Sequence, residues 1–414
     1  MKSPQSSRHG PAHGFFRRRV IASAALAAAA LGLPALAQTG GEPVRLGALA
    51  SVTGLPANGM TSLSGYKLAV DEINKSGGIL GRKVELIVGD DANDPTHAVT
   101  TVKRMIAKDK IQALVGPMLS QASLAIAPVL TEAKIANISV SGSSALTPKA
   151  APYHFSLYTS IEAGSQATTE YVVNGLKAKS AAILTDTGSQ GKAAQENLQR
   201  MLAARGVKVT GAQQHEPHVT DMTSQILSLR RGNPDVVLLV SSTGDDAGTI
   251  LKNMDEVGWK VKVVSNTAGL NVPMVVRTGG PDIYNNGLTS GLLLKAYTYC
   301  SGEPVGQTEF GKFVSRLKAA EPKNFAQLNQ QVVSMAYDGV YVMKAAIEAT
   351  KSFDGAVIAD WIEKNVQNVQ GRINGPLAAS ANNHFLVGAD AIVFVTRPDK
   401  KRDDGLPERV CSKT

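Results

Sequence analysis

The run GYKLAVDEINKSGGILGRKVELIVGDDANDP, Gly65 to Pro95, decides the fold of this chain. Leu63, Tyr66, Ala69, Val70 and Ile73 recur at helical spacing and make one apolar face. Thr61 and Ser62 stand where that helix would be capped. Gly77 and Gly78 permit the left-handed residue that ends a helix, and Gly81 permits a tight turn. Val84, Leu86 and Val88 alternate as a strand does. Asp94 followed by Pro95 reads as a cap and a favoured first helical residue. The alternation of strand and helix predicts a parallel sheet wrapped by helices.

Upstream, Arg17, Arg18 and Arg19 precede an Ala-rich apolar run, Val20 to Leu33. Pro34 breaks the run, and Ala35-Leu36-Ala37 is a small-x-small cleavage site. Residues 1–37 therefore read as a secretory signal peptide, too short in its apolar part for a comfortable membrane span. The Arg pair with two apolar residues after it also fits twin-arginine export. That leader holds Lys2, Arg8 and the three arginines and no acid, so its removal takes the net charge from +9 to +4. The apparent basicity then gives no argument for a nucleic-acid partner. The rest of the chain has no long apolar span, so the expected mature protein is not membrane-embedded. Cys300 and Cys411 are the two cysteines. In an oxidising compartment they read as a disulfide stapling the charged tail to the body; two free thiols are the other reading.

Downstream, strands are predicted at 44–50, 111–115, 135–140, 181–186, 207–212, 236–241, 261–265, 288–294 and 391–396. Helices are predicted at 95–107, 120–133, 162–176, 193–205, 221–231, 245–257, 308–320, 325–350 and 354–366. The Pro-containing segment Thr147 to Tyr158 reads as irregular, the first crossover between two strand–helix series of similar size. The tail from Pro398 is charged and expected to be peripheral.

Enzyme motifs fail one by one. Thr187 to Lys192 resembles a phosphate loop but has the wrong glycine spacing and Ala193 after the lysine. His215-Glu216-Pro217-His218 places Pro217 between histidines that lie three apart, not a helical turn apart. No nucleophile elbow and no dinucleotide fingerprint occur. No enzyme activity, cofactor or metal is expected.

The words AVDEIN and GGILGRKVEL, then DD and DP, resemble the branched-chain amino-acid binding proteins of bacterial ABC transporters, the type I periplasmic binding fold. The resemblance is strong from Val44 to Pro128 and fainter after Leu294. It implies an α/β fold of two doubly wound parallel-sheet lobes, joined by a three-strand hinge, with ligand in the interlobe cleft. It assigns 44–158 plus 296–378 to lobe 1, 159–295 plus 379–397 to lobe 2, and 398–414 to the tail. It implies a periplasmic protein that presents a small molecule to an ABC permease in the inner membrane. A sensor partner for a membrane receptor would use the same lobes.

The site follows from loops at strand ends. In Gly116-Pro117-Met118-Leu119-Ser120-Gln121, the resemblance gives Ser120 the ligand carboxylate, with Gln121 where relatives often have a second Ser. Helix capping is the plainer reading of Ser120. Ser141-Gly142-Ser143 would complete the carboxylate site; a plain turn is the alternative. Relatives usually carry Tyr-Gly near 186–191, and this chain offers Gln190. Relatives that bind amino acids carry an acid near Asn266 and Thr267 to pair with the ligand ammonium, and none stands there. Asp245 and Asp246 read better as a helix cap and first-turn acid. Asn58 stands where relatives often have an aromatic residue, and Tyr337 could face cleft or core. These departures point to a carboxylate ligand without an essential ammonium, an aliphatic or aromatic acid. A branched-chain or other amino acid is the second expectation.

Overall fold

The computed structural model describes residues 41–286 and 291–411. The leader expected over residues 1–37 lies outside them, as do the first three residues of the strand expected at 288–294. The first lobe opens with β1 (Val44–Ala50), α1 (Pro56–Lys75), β2 (Val84–Asp90), α2 (Pro95–Ala107), β3 (Ala113–Val115), α3 (Ser120–Glu132), β4 (Asn137–Ser139) and β5 (His154–Thr159). β1 pairs in parallel with β2 on one side and β3 on the other, Leu46 lying opposite both Leu86 and Ala113. β3, β4 and β5 continue the sheet in parallel. The carboxyl ends of these strands therefore share one edge, and the loops that follow them cluster there.

The second lobe comprises α4 (Ile161–Glu170), β6 (Ser180–Asp186), α5 (Ser189–Ala204), β7 (Lys208–His215), α6 (Thr223–Arg230), β8 (Val236–Val240), α7 (Gly244–Glu256), β9 (Lys262–Ser265) and α8 (Val272–Gly279). Its four strands are parallel in the order β7-β6-β8-β9. Apolar cores cover both faces of each sheet, which is the doubly wound arrangement. β10 (Gly291–Leu294) then leads back to α9 (Glu309–Ala320), α10 (Gln330–Thr350) and α11 (Gly355–Asn365) on the first lobe.

β11 (Phe385–Val387) and β12 (Ile392–Val395) are the last strands among the described residues. β11 is parallel to β5 and extends the first sheet, so residues 385–387 belong with lobe 1 rather than lobe 2, where 379–397 were expected. All three side chains are buried, and a sheet edge satisfies their backbone while covering them. β12 pairs antiparallel with β10 between the lobes. Leu294 and Ala391 join the first-lobe core, whereas Ile392 and Phe394 join the second.

Local details separate what the pattern predicted from what packing decides. Asp94 accepts from His97 N at 2.6 Å, the expected cap. Gly78 has φ +78°, and a Cβ there would fall 1.9 Å from the Arg82 carbonyl oxygen. Thr61 and Ser62 do not cap α1; the helix starts five residues earlier at Pro56, and both are buried within it. Pro56 presets the first helical φ and moves the start upstream. The expected helix 325–350 begins as a single 3-10 turn at Phe325–Gln327, then restarts at Gln330 behind its Asn329 cap. The segment expected to be irregular, Thr147 to Tyr158, contains most of β5.

α1 packs on α10 through Gly65, where a Cβ would lie 2.4 Å from the Val333 carbonyl oxygen. Tyr337 lies in this interface, facing the core. Its hydroxyl donates to Glu72 Oε2 at 2.5 Å, and Arg316 Nε donates to Glu72 Oε1 at 2.9 Å. Glu72 of the AVDEIN run thus ties α1 to α9 and α10. Nor is the tail peripheral. Leu406 is fully buried in the first-lobe core, Arg409 pairs with Glu303, and Cys411 is disulfide-bonded to Cys300 with Cα atoms 6.0 Å apart. Val410 N donates to the Phe394 carbonyl at 2.7 Å, laying the tail along β12. Among the described residues, no helix is long and apolar enough to cross a membrane.

Candidate functional site

The turn after β3 approaches the sheet closely. Gly116 has φ +82°, and a Cβ there would meet the Leu49 carbonyl oxygen at 2.2 Å. The turn delivers Ser120 as the first residue of α3, whose start is capped by no side chain. Ser120 is thus not a cap. Its Oγ accepts from Ser141 Oγ at 3.3 Å. The uncapped N–H groups of α3 and both hydroxyls lie on one edge, a set of donors suited to an anion. Gln121, one residue on, is exposed.

Ser141 is fixed from below. Ser156 Oγ donates to its carbonyl at 2.6 Å, and its own N–H donates to Ser139 Oγ at 3.2 Å. Ser139 Oγ lies 2.9 Å from His154 Nε2. Burial, with a smaller contribution from the charge of His384, pushes His154 down to about 3. The ring is therefore neutral at ordinary pH, and the serine network carries no charge of its own. Ser143 is half-buried in the same turn.

Gly142 is the meeting point of the two lobes. A Cβ on it would lie 2.9 Å from Cδ1 of Tyr158 and 3.7 Å from Nε2 of Gln190. Tyr158, at the end of β5 where the chain crosses over, also reaches the second lobe, its Oη 3.5 Å from Thr267 Oγ1. From there a cavity of about 830 Å³, open to solvent, runs into the second lobe. Gln190, Asn266 and Thr267 line it, together with Gln331 and Met335 of α10. Ser120, Gln121, Ser141, Gly142 and Ser143 do not; they form the first-lobe edge beside it. Asn58 is half-buried in the first turn of α1, on the same carboxyl edge of the first sheet, and its carbonyl accepts from Ser62 Oγ at 3.2 Å.

The side chain of Asn266 is already engaged, donating to the Ser241 carbonyl at 2.9 Å and accepting from Ser241 N at 3.3 Å. The acids near the second-lobe edge are engaged as well. Asp245 pairs with Arg277, Nε to Oδ1 at 2.9 Å. Asp246 accepts from Val219 N at 2.9 Å and His218 N at 3.3 Å, while Thr243 caps the helix. Asp186 accepts from Gly188 N at 2.9 Å and Ser242 Oγ at 2.5 Å. His215 is buried against Ser241 Oγ and the Glu216 carbonyl. Among the described residues, no three His, Cys, Asp or Glu side chains gather as metal ligands would.

Sequence reasoning missed Tyr158, Gln331 and Met335. Tyr158 carried a signal, an aromatic residue ending the crossover segment. Gln331 and Met335 lie in a helix whose facing depends on tertiary packing and carried none.

Residues 43–402 match the family described as periplasmic binding protein. The chain belongs to that family. An amino acid binding protein of Pseudomonas aeruginosa is 25% identical over 360 residues, 86% of this periplasmic binding protein and 91% of that one. A branched-chain amino acid transporter substrate binding protein, LivJ of Streptococcus pneumoniae in complex with isoleucine, superposes with TM-score 0.69 at 19% identity, over 89% and 99% of the two chains. A solute binding protein of Rhodopseudomonas palustris in complex with 4-hydroxybenzoate gives TM-score 0.69 at 18% identity, over 89% and 96%. Like these structures, this periplasmic binding protein has two α/β lobes.

Proposed function

We propose that this protein captures a small carboxylate-bearing solute, an aliphatic or aromatic acid, between its lobes in the periplasm and presents it to the permease of an ABC importer. The observation that carries this reading is the Ser120–Ser141 hydroxyl pair beside the uncapped start of α3. The engagement of the described second-lobe acids Asp186, Asp245 and Asp246 by other partners supports a ligand without an ammonium, because a buried ammonium needs a partner. Closure would be driven by contacts that the solute makes with both lobes at once. The bound acid in the Rhodopseudomonas palustris neighbour is in keeping with this class.

An amino-acid ligand is the second reading, favoured by the name of the Pseudomonas aeruginosa relative. Calorimetry on protein refolded to strip co-purified solute, with simple acids and amino acids in one panel, separates the two. Binding of leucine or valine and of no simple acid overturns the first reading.

A further inference from the structure

We propose that the second lobe holds the far end of the solute in an internal pocket that accepts only an uncharged, largely apolar group. The inference rests on the carboxylate reading above and deepens it. The cavity is lined by Tyr158, Gln190 and Thr267 and, in the second lobe, by Leu198, Leu238, Val264 and Ile392. These last four belong to the second-lobe core, with exposures of 1%, 0%, 3% and 8%. Among the described residues, none that lines the cavity is charged. A second carboxylate or an ammonium carried inward would be stripped of water with nothing to offset the loss.

Small residues make the space. Gly164 and Ser165 on α4 and Ala194 on α5 face it where larger side chains would fill it. The Ser165 hydroxyl is turned back on its own helix, donating to the Ile161 carbonyl at 2.8 Å, so it adds little polarity to the wall. The Gln190 amide and the Thr267 and Tyr158 hydroxyls lie where the lobes meet, and Thr159, Thr168, Asn266 and Gln331 add further polar groups to the lining. With the carboxylate on the first lobe, the solute is an amphipathic acid whose aryl or alkyl body points into the second lobe.

The test is calorimetry on stripped protein with straight-chain monocarboxylates from acetate to decanoate, their ω-amino and dicarboxylate counterparts, and the 1-alkanols of equal length. Affinity for the monocarboxylates should rise about fourfold per methylene until the pocket is full. The ω-charged counterparts should lose that rise, and Ala194→Phe should flatten it. A flat series in the unaltered protein, or ω-charged acids binding as tightly as uncharged ones, overturns the pocket while leaving the carboxylate reading standing. Alkanols that match the acids, with the same dependence on length, overturn the carboxylate reading and leave the pocket. If no probe binds, both fall. Should Ala194→Phe fail to fold, the length series in the unaltered protein decides alone.

Discussion

The hydroxyl of Ser141 donates to that of Ser120 across 3.3 Å, joining the loops that follow two adjacent parallel strands. A ligand carboxylate accepting from both would replace this bond with two charge-assisted ones. Ser120→Ala and Ser141→Ala should each weaken an acid ligand by about tenfold to a hundredfold, since hydrogen bonds to charged groups are worth about 1.5–3 kcal/mol. The double variant should fall short of the product of the two, because each hydroxyl orients the other. Calorimetry with one acid reads both numbers, and unchanged affinities would place the carboxylate elsewhere.

Thr267 stands across from Tyr158, and no acid is found among the described residues that line the cavity. Thr267→Glu supplies the missing partner for an ammonium. It should shift the preference between leucine and 4-methylpentanoate at least tenfold toward leucine, about 1.4 kcal/mol or more. A preference that stays put would show that the solute's near end does not approach this loop.

Stability should depend on acid through His154. Its folded value is about 3, below the ordinary value near 6.5. Between these values the unfolded chain takes up a proton that the native protein refuses. The contribution of His154 is therefore present above pH 6.5 and falls by about 1.4 kcal/mol per unit as the pH drops toward 3. Asp338 works the other way. Burial pushes it up to about 7 against N–H bonds from Ile373 and Asn374, so the native protein holds that proton where the unfolded chain releases it. The two slopes oppose each other in the unaltered protein. Urea unfolding of His154→Gln and unaltered protein at pH 6.5, 5.5 and 4.5 should give a difference that shrinks with falling pH; a constant difference would contradict the buried neutral ring.

The disulfide closes a loop with a sequence separation of 111 residues. In the chain-entropy account such a loop is worth about 4–5 kcal/mol. Cys300→Ser with Cys411→Ser should lower the unfolding free energy by about 3–5 kcal/mol, and reduced unaltered protein should match the variant. Equal midpoints in urea before and after reduction would mean that the tail's other bonds suffice.

Much of the first lobe was legible because its signals are local. Asp94 and Pro95, Gly77 and Gly78, and the apolar face from Leu63 to Ile73 act within a turn of where they stand. Thr61 and Ser62 misled because a cap and a buried helical hydroxyl look alike until the helix start is known. β5 and β11 were hidden because each is short and finds its partner far along the chain, Ser156 N bonding to the carbonyl of His384. Ser120 was read as a candidate from its loop at a helix start and from the resemblance; that it does not cap follows from α3 beginning at Ser120 itself, one residue later than a cap would stand. Tyr158 was visible as a residue but not as a wall, because its role depends on two lobes meeting at Gly142.

Two of the three crossings between lobes are strands of one ladder, Gly291 opposite Val395 through Leu294 opposite Ile392. Strands bonded in register cannot slide past each other without breaking every rung. If the lobes close on a solute as proposed, rotation about this ladder would keep its rungs intact, with Thr159 and Ser160 flexing alongside. The geometry behaves as a piano hinge rather than a tether. On the proposed reading, each closing would return Gly142 to Gln190, and the gap between the serines of one lobe and the pocket of the other would serve as a ruler for the solute.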